Sequence, residues 1–327
     1  MTLNLRTQHN RIVGAAGPKI KAGEENCAFY IKKMAEGGAI RPRPAEAAVE
    51  ARVIIFEESA LKTGGGARGQ RMGQYPRYSI VIPAYNESAR IPATLEAVLS
   101  CVRTNGWDAE IIVVNDGSTD DTVRVVHEIA CSAPEVRLLQ NPGNRGKGFS
   151  VRNGVLQAAG DIVMFTDSDL SAPINEAERL FAALAAGADI AIGSRWLESG
   201  RQTHRQPFYR QFFGRCFNAV CRMVMRLPFA DTQCGFKAFT RTAAQTVFQL
   251  QTIERWGFDP EILFIALKRG FRVVEVPVSW AHDERTRMRY LRDGLQMLKE
   301  LMMVRWNALT GRYSRQIQAT LRTGETR

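Results

Sequence analysis

The chain has 327 residues, 45% of them hydrophobic, and a formal net charge of +11. That length allows one large or two small domains, and the apolar share is sufficient for a real core. The six cysteines form no C-x-x-C pair, which argues against a disulfide framework or a zinc site and fits a reducing compartment. No stretch of about 18 consecutive apolar residues occurs, so no transmembrane helix is expected, and the N-terminus lacks the apolar core of a secretory signal. The basic excess calls for an acidic partner: nucleic acid, an anionic membrane or a phosphorylated substrate.

Residues 1–75 mix Gly, Ala, Lys and Arg without sustained periodicity and are expected to be a largely disordered leader. From Tyr78 short apolar runs alternate with amphipathic stretches. Strands are expected at 79–83, 110–114, 136–139, 162–165, 189–192 and 271–276. Helices are expected from about 88 to 103, up to 131, and over 146–159 and 175–186. Such alternation predicts an α/β domain with a mostly parallel sheet and helices on both faces. Pro277 places the last strand at an edge.

Ligands of such sheets bind at the C-terminal ends of the strands. Three loops lie there: Pro83–Glu87, the run Asn115-Asp116-Gly117-Ser118-Thr119-Asp120-Asp121-Thr122, and Asp167-Ser168-Asp169. Ser118 or Thr119 can cap the following helix. Asp116, just before the turn glycine, is expected to face the cleft and accept hydrogen bonds from a base or ribose. Lys147, in a glycine-rich helix start, is a candidate phosphate contact. Asp167 and Asp169 end a strand one residue apart. Paired carboxylates repel unless a cation lies between them, and a hard divalent ion bridging substrate phosphates is the usual answer.

Two later segments are basic and amphipathic. One, 205–227, interleaves Arg210, Arg215, Arg222 and Arg226 with apolar residues at helical spacing; the other, 288–313, repeats that composition with Met302, Met303, Trp306 and Leu309. This pattern fits either a helix packed on the sheet with solvated arginines or interfacial binding to an anionic membrane. Asp259 and Glu261 open a helix after the turn at Trp256-Gly257, with Pro260 in its first turn.

Taken together, Ile80-Val81-Ile82-Pro83-Ala84-Tyr85-Asn86-Glu87, Asn115–Asp120, Gly146-Lys147-Gly148 and Asp167-Ser168-Asp169 resemble the motifs of family 2 glycosyltransferases with the GT-A fold. Gly193-Ser194-Arg195, Asp231-Thr232-Gln233-Cys234-Gly235-Phe236-Lys237 and Arg255–Glu261 are similar to the branch that glucosylates dolichyl and other polyprenyl phosphates. That branch in eukaryotes carries an N-terminal membrane helix, from which this chain departs. The resemblance implies a catalytic domain over 76–285 and a membrane-associating helix and tail over 286–327.

It further implies an inverting transfer of glucose from UDP-glucose to a polyprenyl phosphate, aided by Mg2+ or Mn2+, at the cytoplasmic face of a membrane. A mannosyl or other hexosyl transfer is the near alternative, and a basic nucleic-acid-binding protein the distant one; no nucleic acid is expected. By resemblance, Pro83, Tyr85, Glu87, Asp116, Lys147 and Asp167 bind the donor nucleotide, and Asp167 and Asp169 hold the metal. Arg195, Arg210, Arg215, Asn218 and Lys237 contact the acceptor phosphate. Gln233, Trp256, Asp259 and Glu261 line a sugar or acceptor pocket. Asp231 stands where relatives place a proposed general base. Orienting the acceptor, holding an arginine or supporting the metal are its competing roles.

Overall fold

A computed structural model describes residues 77–197, 202–204, 208–281 and 290–314, all within the unit Arg68–Arg327. The expected leader, 1–75, lies outside the described residues.

The apolar runs become β1 (Tyr78–Ala84), β2 (Ala109–Asn115), β3 (Val136–Gln140), β4 (Ile162–Phe165) and β5 (Ile190–Ser194). Between them lie α1 (Ile91–Thr104), α2 (Thr122–Ser132), α3 (Lys147–Leu156) and α4 (Ala177–Ala185). The helix expected over 175–186 begins with a separate 3-10 turn, Ile174–Glu176. The chain continues through β6 (Gln202–His204), α5 (Phe208–Met225), β7 (Lys237–Thr240), α6 (Arg241–Leu250) and α7 (Phe258–Lys268). It then forms β8 (Val273–Pro277), β9 (Trp280–Ala281) and α8 (Tyr290–Leu309).

Seven strands form one sheet in the order β3-β2-β1-β4-β7-β5-β8. β7, which the sequence reading did not anticipate, runs antiparallel to both β4 and β5; the other pairings are parallel. β8 is an edge strand, as Pro277 suggested. Alternation along the strands divides the core between the two sheet faces. Val81, Ile112, Val114, Val163 and Phe165 face one apolar layer, shared with α6 and α7. Ile80, Ile82, Ile111, Val113 and Met164 face the other, shared with α1 and α4.

The two basic amphipathic segments behave differently. The described apolar side chains of α5 mostly turn inward: Cys221 and Met225 are buried and Phe217, Val220 and Val224 pack on the core, while Met223 is exposed. α8 has apolar residues on both faces. Met297, Leu301 and Val304 are buried, whereas Met302, Trp306 and Leu309 are 63%, 67% and 77% exposed. Among the described residues no helix is long and apolar enough to cross a membrane. Cys101, Cys221 and Cys234 are free thiols; Cys131 departs from the expectation, being disulfide-bonded.

Candidate active site

Because β1, β2, β4 and β5 share one direction, Tyr85, Asp116, Asp167 and Arg195 all follow strand ends at one sheet edge. The antiparallel β7 starts at that same edge. Its first residue, Lys237, stands opposite both Phe165 and Ile192. The segment leading into it, 231–236, therefore crosses the edge between Asp167 and Arg195.

The first two loops are stapled together. Asn86, left-handed at φ 53°, accepts hydrogen bonds at Oδ1 from the amides of Thr119 (2.7 Å) and Asp120 (3.3 Å). Its own amide donates to Ser118 Oγ at 2.8 Å, and the Glu87 amide donates to Thr122 Oγ1 at 2.8 Å. Ser118 and Thr119 thus do not cap α2, whose N-cap, the residue before Thr122, is Asp121 and makes no side-chain capping bond. Burial opposes ionisation of Asp120, but hydrogen bonds from Thr122 and Ser88 outweigh it and bring its pKa down to about 2. Pro83 is the next-to-last residue of β1, Tyr85 is exposed, and Glu87 pairs with Arg90 at 3.1 Å.

Asp116 does not face an open cleft. It is buried, and its carboxylate accepts from Asn141 Nδ2 (2.8 Å), the Arg145 amide (2.9 Å) and the Gly146 amide (2.8 Å). It thereby fixes the turn that presents Lys147. Gly146, at φ +113°, has no room for a Cβ against the Glu254 carbonyl, 2.7 Å away. The glycines flanking Lys147 so let segment 253–255 close on the helix start.

Lys147 Nζ meets Asp167 Oδ1 at 2.5 Å. Burial lowers the lysine's pKa, but the charges of Asp167, Asp259 and Asp169 outweigh it and raise it to about 12. Asp169 accepts the Ser171 amide at 2.9 Å; burial, then the charge of Asp167, pushes its pKa up. Leu170, next to it, is left-handed at φ 45°, a conformation that costs a bulky residue roughly 1–2 kcal/mol and is held here by packing on the core. Among the described residues no three His, Cys, Asp or Glu side chains gather to hold an ion alone. A pair of carboxylates one residue apart at a strand end suits a hard cation that keeps waters and takes substrate phosphates as further ligands.

Across the edge, Arg195 and Asp231 form a two-pronged pair, Nε to Oδ2 at 2.6 Å and NH2 to Oδ1 at 2.9 Å. The Arg195 amide (3.2 Å) and the Gln233 amide (3.1 Å) fill the remaining acceptor positions of Asp231. Burial alone would raise this carboxyl's pKa, but the Arg195 charge and these hydrogen bonds hold it below its ordinary value. Asp231 has no exposed surface, whereas the Arg195 side chain keeps 19%. Lys237 is fully buried; it donates to Asp259 and to the Cys234 carbonyl. Burial raises the pKa of Asp259 despite Lys237 and Lys147. Asp167 acts electrostatically on Lys147, Arg195, Cys234 and Asp259 alike. Asp167, Asp169, Lys147, Lys237, Asp259, Arg195 and Asp231 therefore belong to one charged cluster, with Trp256 beside it, its ring 5.9 Å from Lys147 Nζ.

Other expected residues are used elsewhere. Glu261 is not a pocket wall: its carboxylate accepts from the Thr252 amide and hydroxyl, the Ile253 amide and Tyr313 Oη. Asn218 holds the turn 230–232 through Ala230 O and Thr232. Lys237 serves Asp259 instead of an open phosphate site. Arg210 and Arg215 fall in α5, but their side chains lie outside the described ones. Sequence reading missed Asn86, Gly235 and Glu275. Asn86 and Gly235 lie inside motifs of the sequence, Ile80–Glu87 and Asp231–Lys237, whereas Glu275 left no signal there.

Residues 79–248 match the family model "Glycosyl transferase family 2". A dolichyl-phosphate beta-glucosyltransferase of Trichomonas vaginalis is 39% identical over 213 residues, 62% of this chain and 63% of that protein. The chain thus spans just under two thirds of that relative's length. The enzymes of the same name from Drosophila melanogaster and Homo sapiens are 35% and 32% identical over 246 residues, 71% of this chain and 76% of each of them. Among solved structures, glucosyl-3-phosphoglycerate synthase from Mycobacterium tuberculosis, in complex with Mn2+, UDP and glucosyl-3-phosphoglycerate, superposes with a TM-score of 0.51 at 20% identity. That likeness covers 76% of this chain and 86% of that one, and it bears out the expected GT-A architecture.

Proposed function

Because the chain belongs to glycosyl transferase family 2, we propose that its charged cluster transfers glucose from UDP-glucose to a polyprenyl phosphate with inversion. The observation that carries this reading is the arrangement of two charge sets around one edge: the Asp167/Asp169/Lys147 group on one side, Arg195 on the other. An oxygen of the acceptor phosphate attacks the anomeric carbon. The new C–O bond forms as the bond to the diphosphate breaks, and UDP leaves with the electron pair. Asp167 and Asp169 would hold Mg2+ or Mn2+, which supplies positive charge to the departing diphosphate. Lys147 adds a second positive group on that side. Arg195 receives the acceptor phosphate, whose second pKa near 6 leaves it largely ionised at neutral pH. It needs no base, so Asp231 serves as the holder of Arg195. Pro83, Tyr85 and Glu87, at the end of β1, border the nucleotide, and Gln233 and Trp256 the sugar.

The relatives are named for a glucosyl transfer to dolichyl phosphate, which is why glucose is preferred over mannose here. Incubation with radiolabelled UDP-glucose or GDP-mannose and a polyprenyl phosphate separates the two. Lipid-extractable label from UDP-glucose alone is expected. Label from GDP-mannose alone would assign the mannosyl alternative, and label from neither would sink both.

Gly235 offers an independent check on the donor side. A Cβ there would lie 2.2 Å from Asp167 Oδ2, so Gly235→Ala must swing that carboxylate away. Misplacement of about 1 Å can cost on the order of 100-fold in rate, and a loss of that order, with weakened Mn2+-dependent UDP binding by calorimetry, is expected. Wild-type UDP binding in the variant would remove Asp167 from the donor site.

We also propose that the catalytic unit, 76–285, is held at an anionic membrane through the segment 286–327. The outward stripe Leu298, Met302, Trp306 and Leu309 on α8, with Met223 of the adjacent α5, suits the acyl boundary. Lys299, Arg305 and Arg222 suit the headgroups. The acceptor's tail makes the same demand. Burying one such side chain is worth about 1.5–3 kcal/mol, so the double variant Met302→Asp/Trp306→Asp should weaken flotation with phosphatidylglycerol vesicles at least about tenfold. Unchanged flotation would assign this face another role.

A further inference from the structure

Asp231 can position Arg195 only if its own backbone is fixed, and the structure shows what fixes it. Glu275, on β8, accepts the Asp231 amide at Oε1 (2.7 Å) and the Ala230 amide at Oε2 (2.8 Å). It stands opposite Ile192 of β5, three residues before Arg195 in the chain. One carboxylate thus caps two consecutive amides of the turn and ties it to the strand that delivers the arginine. From the opposite side, Asn218 donates Nδ2 to the Ala230 carbonyl (2.5 Å) and accepts the Thr232 amide (3.0 Å) and hydroxyl (2.8 Å) at Oδ1. The polar groups of 230–232 are thus taken up by two side chains from two different elements, and the Asp231 carboxylate is kept for the Arg195 fork and the amides of Arg195 and Gln233.

We infer that Glu275 is a positioning residue for the acceptor-phosphate site, acting through the 230–231 amides and Asp231 on Arg195. The inference rests on the reading of Arg195 as the acceptor-phosphate contact. Charged carboxylates hold amide donors more strongly than neutral acceptors do. The isosteric Glu275→Gln keeps one acceptor oxygen but turns an NH2 toward the other amide. The turn should then relax and the guanidinium with it, without any change at the Asp167/Lys147 side.

The test is a double-mutant cycle read by calorimetry with farnesyl phosphate, a soluble short-chain polyprenyl phosphate, and with UDP plus Mn2+. E275Q is expected to weaken farnesyl phosphate about tenfold, the order carried by one hydrogen bond to a charged group, and to leave UDP binding within about twofold. In an Arg195→Ala background the same substitution should have no further effect, since the two act on one contact. If E275Q costs the same in both backgrounds, or weakens UDP equally, its role is structural only and the inference falls. If R195A itself leaves farnesyl phosphate binding intact, the acceptor reading of Arg195 falls instead. Should E275Q not fold, Asn218→Ala, which loosens the turn from its other side, runs the same cycle with the same outcomes.

Discussion

Replacing Asp169 with Asn is expected to lower turnover by about 100- to 1000-fold, the usual cost of removing one electrostatic stabiliser of a developing charge. The same change should leave the melting temperature of the ligand-free protein unchanged or raise it. Asp169 ionises reluctantly because it is buried and faces Asp167. A carboxyl whose folded-state pKa lies above its unfolded value detracts from stability at neutral pH, and that cost disappears as pH falls through the folded-state pKa. Asn mimics the protonated form and keeps an oxygen for the Ser171 amide, so it relieves the strain without loosening the turn. Stability traded for activity is the mark of a site arranged for a ligand. Turnover within about threefold of wild type would remove Asp169 from the chemistry, and a drop of several degrees in melting temperature would make it a structural residue.

Asp231→Asn should be the second large effect, with the opposite signature. Here the charge is matched in the fold, and removing it takes from Arg195 the carboxylate that grips its guanidinium at two points. Breaking a buried pair from one side costs about 3–5 kcal/mol; the partial exposure of Arg195 puts the expected loss near the lower end. The Asp231 carboxyl has its pKa lowered in the fold, burial being outweighed by Arg195 and its hydrogen bonds. Its contribution is therefore present above the unfolded carboxylate pKa and lost as pH falls through the lower folded value. Wild type should lose its advantage over D231N only in strong acid. Turnover should fall mainly through the KM for the lipid phosphate, and the pH–rate profile of the residual activity should keep its acid limb, because the acceptor's own ionisation sets it. Disappearance of that limb with an unchanged acceptor KM would make Asp231 the base after all.

The sheet was legible because β1, β2 and β4 are short apolar runs ending in polar turns, and their C-terminal edge follows from parallel order alone. β7 escaped because a four-residue strand that opens on a buried lysine has no clear period of its own, and strand direction leaves no trace in hydrophobic pattern. The acidic pair was read correctly as lying at the strand end. What could not be read was how each charge is matched. Asp231 reaches Arg195 across 36 residues, and Glu261 reaches Tyr313 across 52. At a helix start both carboxylates of the Asp259/Glu261 pair look alike. In the fold one answers a buried lysine and the other caps a loop, because β7 brings Lys237 to the first and the turn at 252–253 closes on the second. Asp116 shows the same limit. Its place before the turn glycine suggested an open cleft, but the amides of Arg145 and Gly146 arrive from another loop and take its oxygens.

The most direct measurement is product identification after incubating the protein with UDP-glucose, farnesyl phosphate and Mn2+, followed by phosphorus and proton NMR. One farnesyl phosphate ester of glucose with a β-anomeric coupling, formed in equal amount with UDP, is expected. Release of UDP with free glucose, or an α-linked ester, would contradict inverting transfer to the lipid phosphate.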